Sequence, residues 1–163
     1  MRERWGTADL IEAVRHQWAE WDTFVRRLDD DAQQRPTNGA GWTVRDIVAH
    51  LTWFERETIE LIRTRRFVGS PLWERPSEVR NAAILAESRA KSWETVRTEA
   101  ATTRVTLLAA LAELSDDDLY APERFPPMPA ELTPAQIIED NTWLHYEAHR
   151  ERLEAWLETE RAR

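Results

Sequence analysis

Four side chains in this sequence can take up a proton or a metal ion near neutral pH: His16, His50, His145 and His149. His145 and His149 form an H-x3-H pair, which on a helix stands one turn apart and aims both imidazoles the same way. His50 falls between Ile47 and Leu51, three residues before Trp53 and four before Phe54, beside an apolar helical stripe. Such a pair, completed by a third imidazole from another helix, suits a borderline divalent ion such as zinc, nickel, copper or iron. Three protein ligands leave positions open for water or substrate, the layout of a reactive metal rather than a structural one. Ligation needs neutral rings, so affinity should fall as pH drops through about 6.5. Asn141 lies a turn upstream on the same face, and Asn141 and Thr142 are within local reach to orient His145. The same spacing also fits histidines that only hydrogen-bond in a buried core, with Tyr146 and Glu147 as neighbours, so spacing alone leaves both readings open. His16 lies opposite its apolar stripe and reads as solvated, and Arg152 reads as a surface or salt-bridged residue.

Other chemistries lack their residues. The absence of cysteine removes disulfides, thiolate zinc sites and cysteine nucleophiles. The glycines Gly6, Gly39, Gly41 and Gly69 all fall in connections, so there is no phosphate cradle, dinucleotide fingerprint or G-x-S-x-G elbow. No serine stands in a recognisable order with histidine and carboxylate. With 22 basic and 30 acidic residues the net charge is −8, and phosphate binding needs a basic face, so a small molecule and no nucleic acid is the expected partner. The apolar runs are too short to span a bilayer, which leaves no membrane partner. No basic stretch leading into an apolar one opens the chain, so a cytoplasmic location is expected.

The elements that must position the histidines follow from periodicity. At 163 residues the chain fits a single domain over 1–163. Its eight prolines cluster between four long stretches, and all four stretches read helical. The first runs from about Ala8 to Leu28 behind Thr7 as a cap, with Leu10, Val14, Trp18, Trp21 and Val25 in register. The second starts at Thr43, where Asp46 completes a capping box, and runs to about Arg65. The third spans Ser77 to Leu114 with Val79, Ala82, Trp93 and Leu107 in register. Unbroken it would reach roughly 57 Å, about twice a bundle element, so a break is expected where Ser92 can cap, near residue 91. The fourth starts at Thr133-Pro134 and carries both H-x3-H histidines towards the C-terminal region. No stretch alternates with period two. The fold class is therefore all-α, a four-helix bundle, and an exposed helix face would allow a homodimer. Of the nine tryptophans, Trp18, Trp21, Trp93 and Trp156 fall on core registers. Trp42, Trp53 and Trp73 suit a pocket wall, since indole offers a flat apolar face and one donor.

Two segments carry a resemblance. Gly41-Trp42-Thr43-Val44-Arg45-Asp46-Ile47-Val48-Ala49-His50-Leu51-Thr52-Trp53 resembles the helix-two signature of the DinB-like superfamily of four-helix bundles. Asp140-Asn141-Thr142-Trp143-Leu144-His145-Tyr146-Glu147-Ala148-His149 resembles its last-helix signature. The Asn-Thr-x-x-His-Tyr run, Arg80-Asn81-Ala82-Ala83, and the helix ending in Leu114-Ser115-Asp116-Asp117-Asp118-Leu119 most resemble the ClbS/DfsB family within it. The resemblance implies a divalent metal, zinc or nickel, on His50, His145 and His149, matched one by one. It also implies a pocket between helices two and four lined by Trp53, His50 and His145, and Trp42 and Asn141 are further candidate residues of its wall. A metal-assisted hydrolase or a transferase using a low-molecular-weight thiol, acting on an electrophilic small molecule in detoxification or self-resistance, is the implied function. The alternative is a non-catalytic binding or sequestration protein whose histidines only hydrogen-bond.

Overall fold

A computed structural model describes residues 4–37 and 41–162. Gly39 lies outside them. Among the described residues the regular structure is entirely helical: α1 (Thr7–Arg26), α2 (Asp30–Gln34), α3 (Val44–Thr64), α4 (Ser77–Arg89), α5 (Trp93–Ala112), α6 (Pro134–Asn141) and α7 (Trp143–Arg161), with short 3-10 turns between some of them. α1, α3, α5 and α7 are the four long members of the bundle. Among the described residues no helix is long and apolar enough to cross a membrane.

Local chemistry sets the helix ends. Gly6, not Thr7, caps α1: its N–H donates to Asp9 Oδ2 at 2.8 Å, and the Thr7 N–H donates to Asp116 Oδ1 at 2.7 Å. An acidic side chain satisfies these orphan donors better than a hydroxyl because it adds charge to the bond. At α3 the expected capping box is present, with the Asp46 N–H donating to Thr43 Oγ1 at 3.3 Å and the Thr43 N–H to Asp46 Oδ2 at 3.0 Å. The third stretch breaks where expected: α4 ends at Arg89, and Ser92 Oγ accepts the Thr95 N–H at 3.1 Å to start α5.

The fourth stretch is also broken, which periodicity does not reveal. Thr142 has φ −121° and ψ −109°, and its hydroxyl donates back to the Ile138 carbonyl at 2.6 Å. α6 ends at Asn141, and α7 restarts at Trp143.

α3 is the central element, packed against α4, α5, α6 and α7, while α1 covers α7 and α5. Leu10, Val14, Val44, Leu51, Leu107, Leu111 and Ile138 are fully enclosed, with Trp21 2% exposed. Burying each such side chain is worth about 1.5–3 kcal/mol. Leu119 and Phe125, in the connection before α6, close one end of the core. Several expected core positions differ. Val79 is 42% exposed and Ala82 is exposed, because α4 lies on the outside of α3 and buries little more than Ile84 and Ser88, while Val25, Trp93 and Trp156 are only half-buried.

Candidate metal centre

The second turn of α3 carries His50, and its register is set by the Thr43–Asp46 box. The restart at Trp143 puts His145 in the first turn of α7 and His149 in the second. The three rings meet between these helices. His50 Nε2 lies 3.0 Å from His145 Nε2, and ring centroids are 4.8 Å (50–145), 5.1 Å (50–149) and 5.0 Å (145–149) apart. One nitrogen from each ring falls within 4.8 Å of the other two. Phe54 braces the cluster edge-on, 4.5 Å from His145 and 4.8 Å from His50, and Trp42 packs on His50 at 5.0 Å.

All three rings are held neutral. Burial pushes His50 down to about 2, and the charges of His145, His149, Arg80 and Arg152 add to the effect. The same causes bring His145 to about 3, and burial with Arg152 brings His149 to about 4. Neutral imidazoles keep the lone pairs that ligation requires, so proton competition starts well below the pH of about 6.5 expected for free histidine. Local structure corrects that sequence expectation, since the rings are already desolvated before any ion arrives.

The donor set fits a divalent ion. Two nitrogens bound to one ion at 2.0–2.1 Å stand about 2.9–3.4 Å apart, and His50 and His145 already show that spacing. Nδ1 of His50 and Nδ1 of His145 are buried without a hydrogen-bond partner, so the cluster is not a self-satisfied network. Tyr146 cannot serve them, because its ring turns away to stack edge-on against Trp21 at 5.5 Å. Thr142 does not orient His145 either, its hydroxyl being committed to Ile138.

The cluster lines an open cavity of about 760 Å3 together with Trp42, Phe54, Arg80, Asn81, Asn141 and Arg152. Trp42 and Asn141 are thus where the sequence places them. Trp53 is not on the lining; it packs on Phe54 at 4.9 Å and Trp73 at 5.4 Å, behind the wall. Residues 53 and 54 both follow His50 by about one helical turn, and only packing decides which faces the cavity. Arg152 is exposed as expected but forms no ion pair among the described residues and borders the cavity. Arg80 and Asn81 on α4 were not legible as site residues, since no spacing links them to motifs far along the chain. His16 is exposed and apart.

A second buried polar cluster stands in the bundle interior. Glu55 is fully enclosed and accepts the Trp18 indole N–H at 2.8 Å. Burial pushes its carboxyl up to about 7, against the pull of Arg104, Trp18 and Tyr146. Arg104 in turn donates to both oxygens of Asp22 at 2.9 Å.

Three imidazoles from the second and last long helices of a bundle, opening on a side cavity, are the arrangement of a DinB-like protein. The sequence pattern of the mycothiol maleylpyruvate isomerase N-terminal domain matches residues 14–150, and the chain belongs to that family. No curated protein matches it. Among solved structures, an uncharacterised protein from Escherichia coli UTI89 has 18% identity and a TM-score of 0.75, over 96% of this chain and 95% of the other. The colibactin self-resistance protein ClbS, crystallised in complex with a double-stranded DNA, has 15% identity and a TM-score of 0.75 over 97% and 98%. A Streptococcus pneumoniae protein has 13% identity and a TM-score of 0.77 over 97% and 93%.

The ClbS complex corrects one expectation. Nucleic acid was excluded on net charge, yet a protein of this fold is crystallised with DNA. Net charge sums the whole surface, whereas a nucleic acid meets one face of it, so −8 does not carry the exclusion.

Proposed function

We propose that this protein is a metal-dependent enzyme acting on an electrophilic small molecule, with zinc or nickel held by His50, His145 and His149. The observation that supports it most is the meeting of three desolvated, neutral imidazoles at the wall of an open cavity. When bound, a divalent ion there supplies Lewis acidity and brings water or a low-molecular-weight thiol towards its anionic form near neutral pH. The chain's own residues do the rest. Phe54 and Trp42 hold the rings in place and keep bulk water from one side of them. Asn141, 8% exposed and on the cavity wall, offers an amide to orient a substrate carbonyl or hydroxyl. The family's description names a thiol, mycothiol, which favours a thiol as the nucleophile over water.

A second reading has its own observation. The 3.0 Å contact between His50 and His145 also suits a hydrogen bond between one protonated and one bare Nε2, in a cavity that binds and sequesters without turnover. One experiment separates the two: consumption of a model epoxide by untagged protein, with and without added thiol, zinc and chelator. Catalytic turnover that chelator abolishes and zinc restores supports the enzyme. Protection that saturates at one equivalent of protein and ignores chelator overturns it in favour of sequestration.

A further inference from the structure

The cavity beside the histidines is bordered by two arginines, Arg80 and Arg152, and by Asn81. Nε of Arg80 and Oδ1 of Asn81 are buried without a hydrogen-bond partner, so neither residue is fully committed within the protein.

The arginines carry the stronger signal. The other half-buried arginines, Arg35, Arg45, Arg65, Arg104 and Arg150, each meet a carboxylate. Arg80 and Arg152 meet none among the described residues, although Glu78 and Asp140 border the same cavity. Instead the Arg80 guanidinium is braced by rings, 4.8 Å from the Trp73 centroid and 5.8 Å from that of Phe54. Stacking fixes the plane of the fork and leaves its N–H edge free to donate. Glu78 and Asp140 are exposed to solvent, where their charge is screened, whereas Arg80 is half-buried. Arg80 comes from α4 and Arg152 from α7, so the two cations approach the histidine cluster from different helices. Both act electrostatically on His50 and His145.

We propose that Arg80 and Arg152 form an oxyanion subsite, so that the small molecule taken by this cavity carries a carboxylate or phosphate group beside its reacting centre. The inference rests on reading the cavity as a small-molecule site next to the histidine centre. Guanidinium groups recognise both oxyanions by charge-assisted, forked hydrogen bonds. Asn81 adds one neutral polar partner, and Phe54 and Trp42 receive the apolar remainder of the ligand.

The test is calorimetric titration of the zinc-loaded full chain with benzoate, phenyl phosphate and the neutral isostere benzamide. At least one acid is expected to bind about tenfold more tightly than benzamide, and which acid is preferred identifies the oxyanion. R80Q and R152Q should each reduce that preference by about threefold or more while leaving the affinity for benzamide and the zinc content unchanged, and R80K should recover part of it. Three results would overturn the subsite: benzamide binding as well as both acids, no binding of either acid, or a preference that survives intact in the R80Q/R152Q double variant. The same titrations on chelator-treated protein keep the two readings apart. A preference that still depends on the arginines supports the subsite even if zinc fails to bind.

Discussion

Mild acid should destabilise the metal-free protein through its three central imidazoles. In the folded chain His50, His145 and His149 sit at about 2, 3 and 4, against about 6.5 for an unfolded histidine. Folded values below the unfolded one mean that the unfolded chain binds more protons at any pH below about 6.5. The stability these rings confer is therefore complete above that pH and is lost as pH falls. At pH 5 each ring costs roughly 2 kcal/mol, or about 5–6 kcal/mol for all three. Glu55 works the other way: with its carboxyl raised from 4.5 to about 7, protonation returns roughly 2 kcal/mol between pH 7 and pH 5. The net loss is about 3–4 kcal/mol. With a urea slope of about 2 kcal/mol/M, the unfolding midpoint should drop by about 1.5–2 M. The assay is urea denaturation of chelator-treated protein, followed by tryptophan fluorescence at the two pH values. H149Q should remove roughly 2 kcal/mol of the loss. A midpoint that is the same at both pH values, or a drop that H149Q leaves unchanged, would refute the reasoning.

The carboxyl of Glu55 gives the mirror-image prediction. Its raised value contributes stability below about 4.5 that is lost as pH rises through about 7, so E55Q should gain about 2–3 kcal/mol over wild type at pH 8 and nothing at pH 4.5. Equal gains at both pH values in urea titrations would contradict the assignment. Phe54, 8% exposed and wedged among His50, His145, Trp53 and Trp73, should cost about 3–5 kcal/mol when cut to alanine. A loss below about 1 kcal/mol in the same assay would show that its packing is not what braces the rings. Ser92 caps α5 at the break from α4, so S92A should lower stability by about 1 kcal/mol, read as a fall in Tm; an unchanged Tm would remove the cap from the explanation.

Much of the fold was legible because its signals are local. Thr43 and Asp46 start α3, Ser92 starts α5, and Thr133 with Pro134 starts α6; a capping side chain needs only its own next turn. The break at Thr142 was not legible. Neither glycine nor proline marks it, and a threonine hydroxyl bonded four residues back is no signal, since Thr52 and Thr58 make the same bond inside the unbroken α3. α2, at five residues, is too short to show a period. For the site, the H-x3-H spacing is a local signal, and its convergence with His50 was carried by the resemblance of two segments rather than by spacing. The choice between Trp53 and Phe54, and the approach of Arg80 and Asn81 from α4, are set by how helices pack. Neighbouring positions on one helix edge look alike until that packing is known.

The central claim is that His50, His145 and His149 together hold a divalent ion, and elemental analysis of untagged protein, incubated with zinc or nickel and then desalted, tests it most directly. Near one metal per chain is expected, falling close to zero in H145A while the helical circular dichroism is retained. Wild-type protein that emerges metal-free, or an H145A variant that keeps a full equivalent, would contradict it.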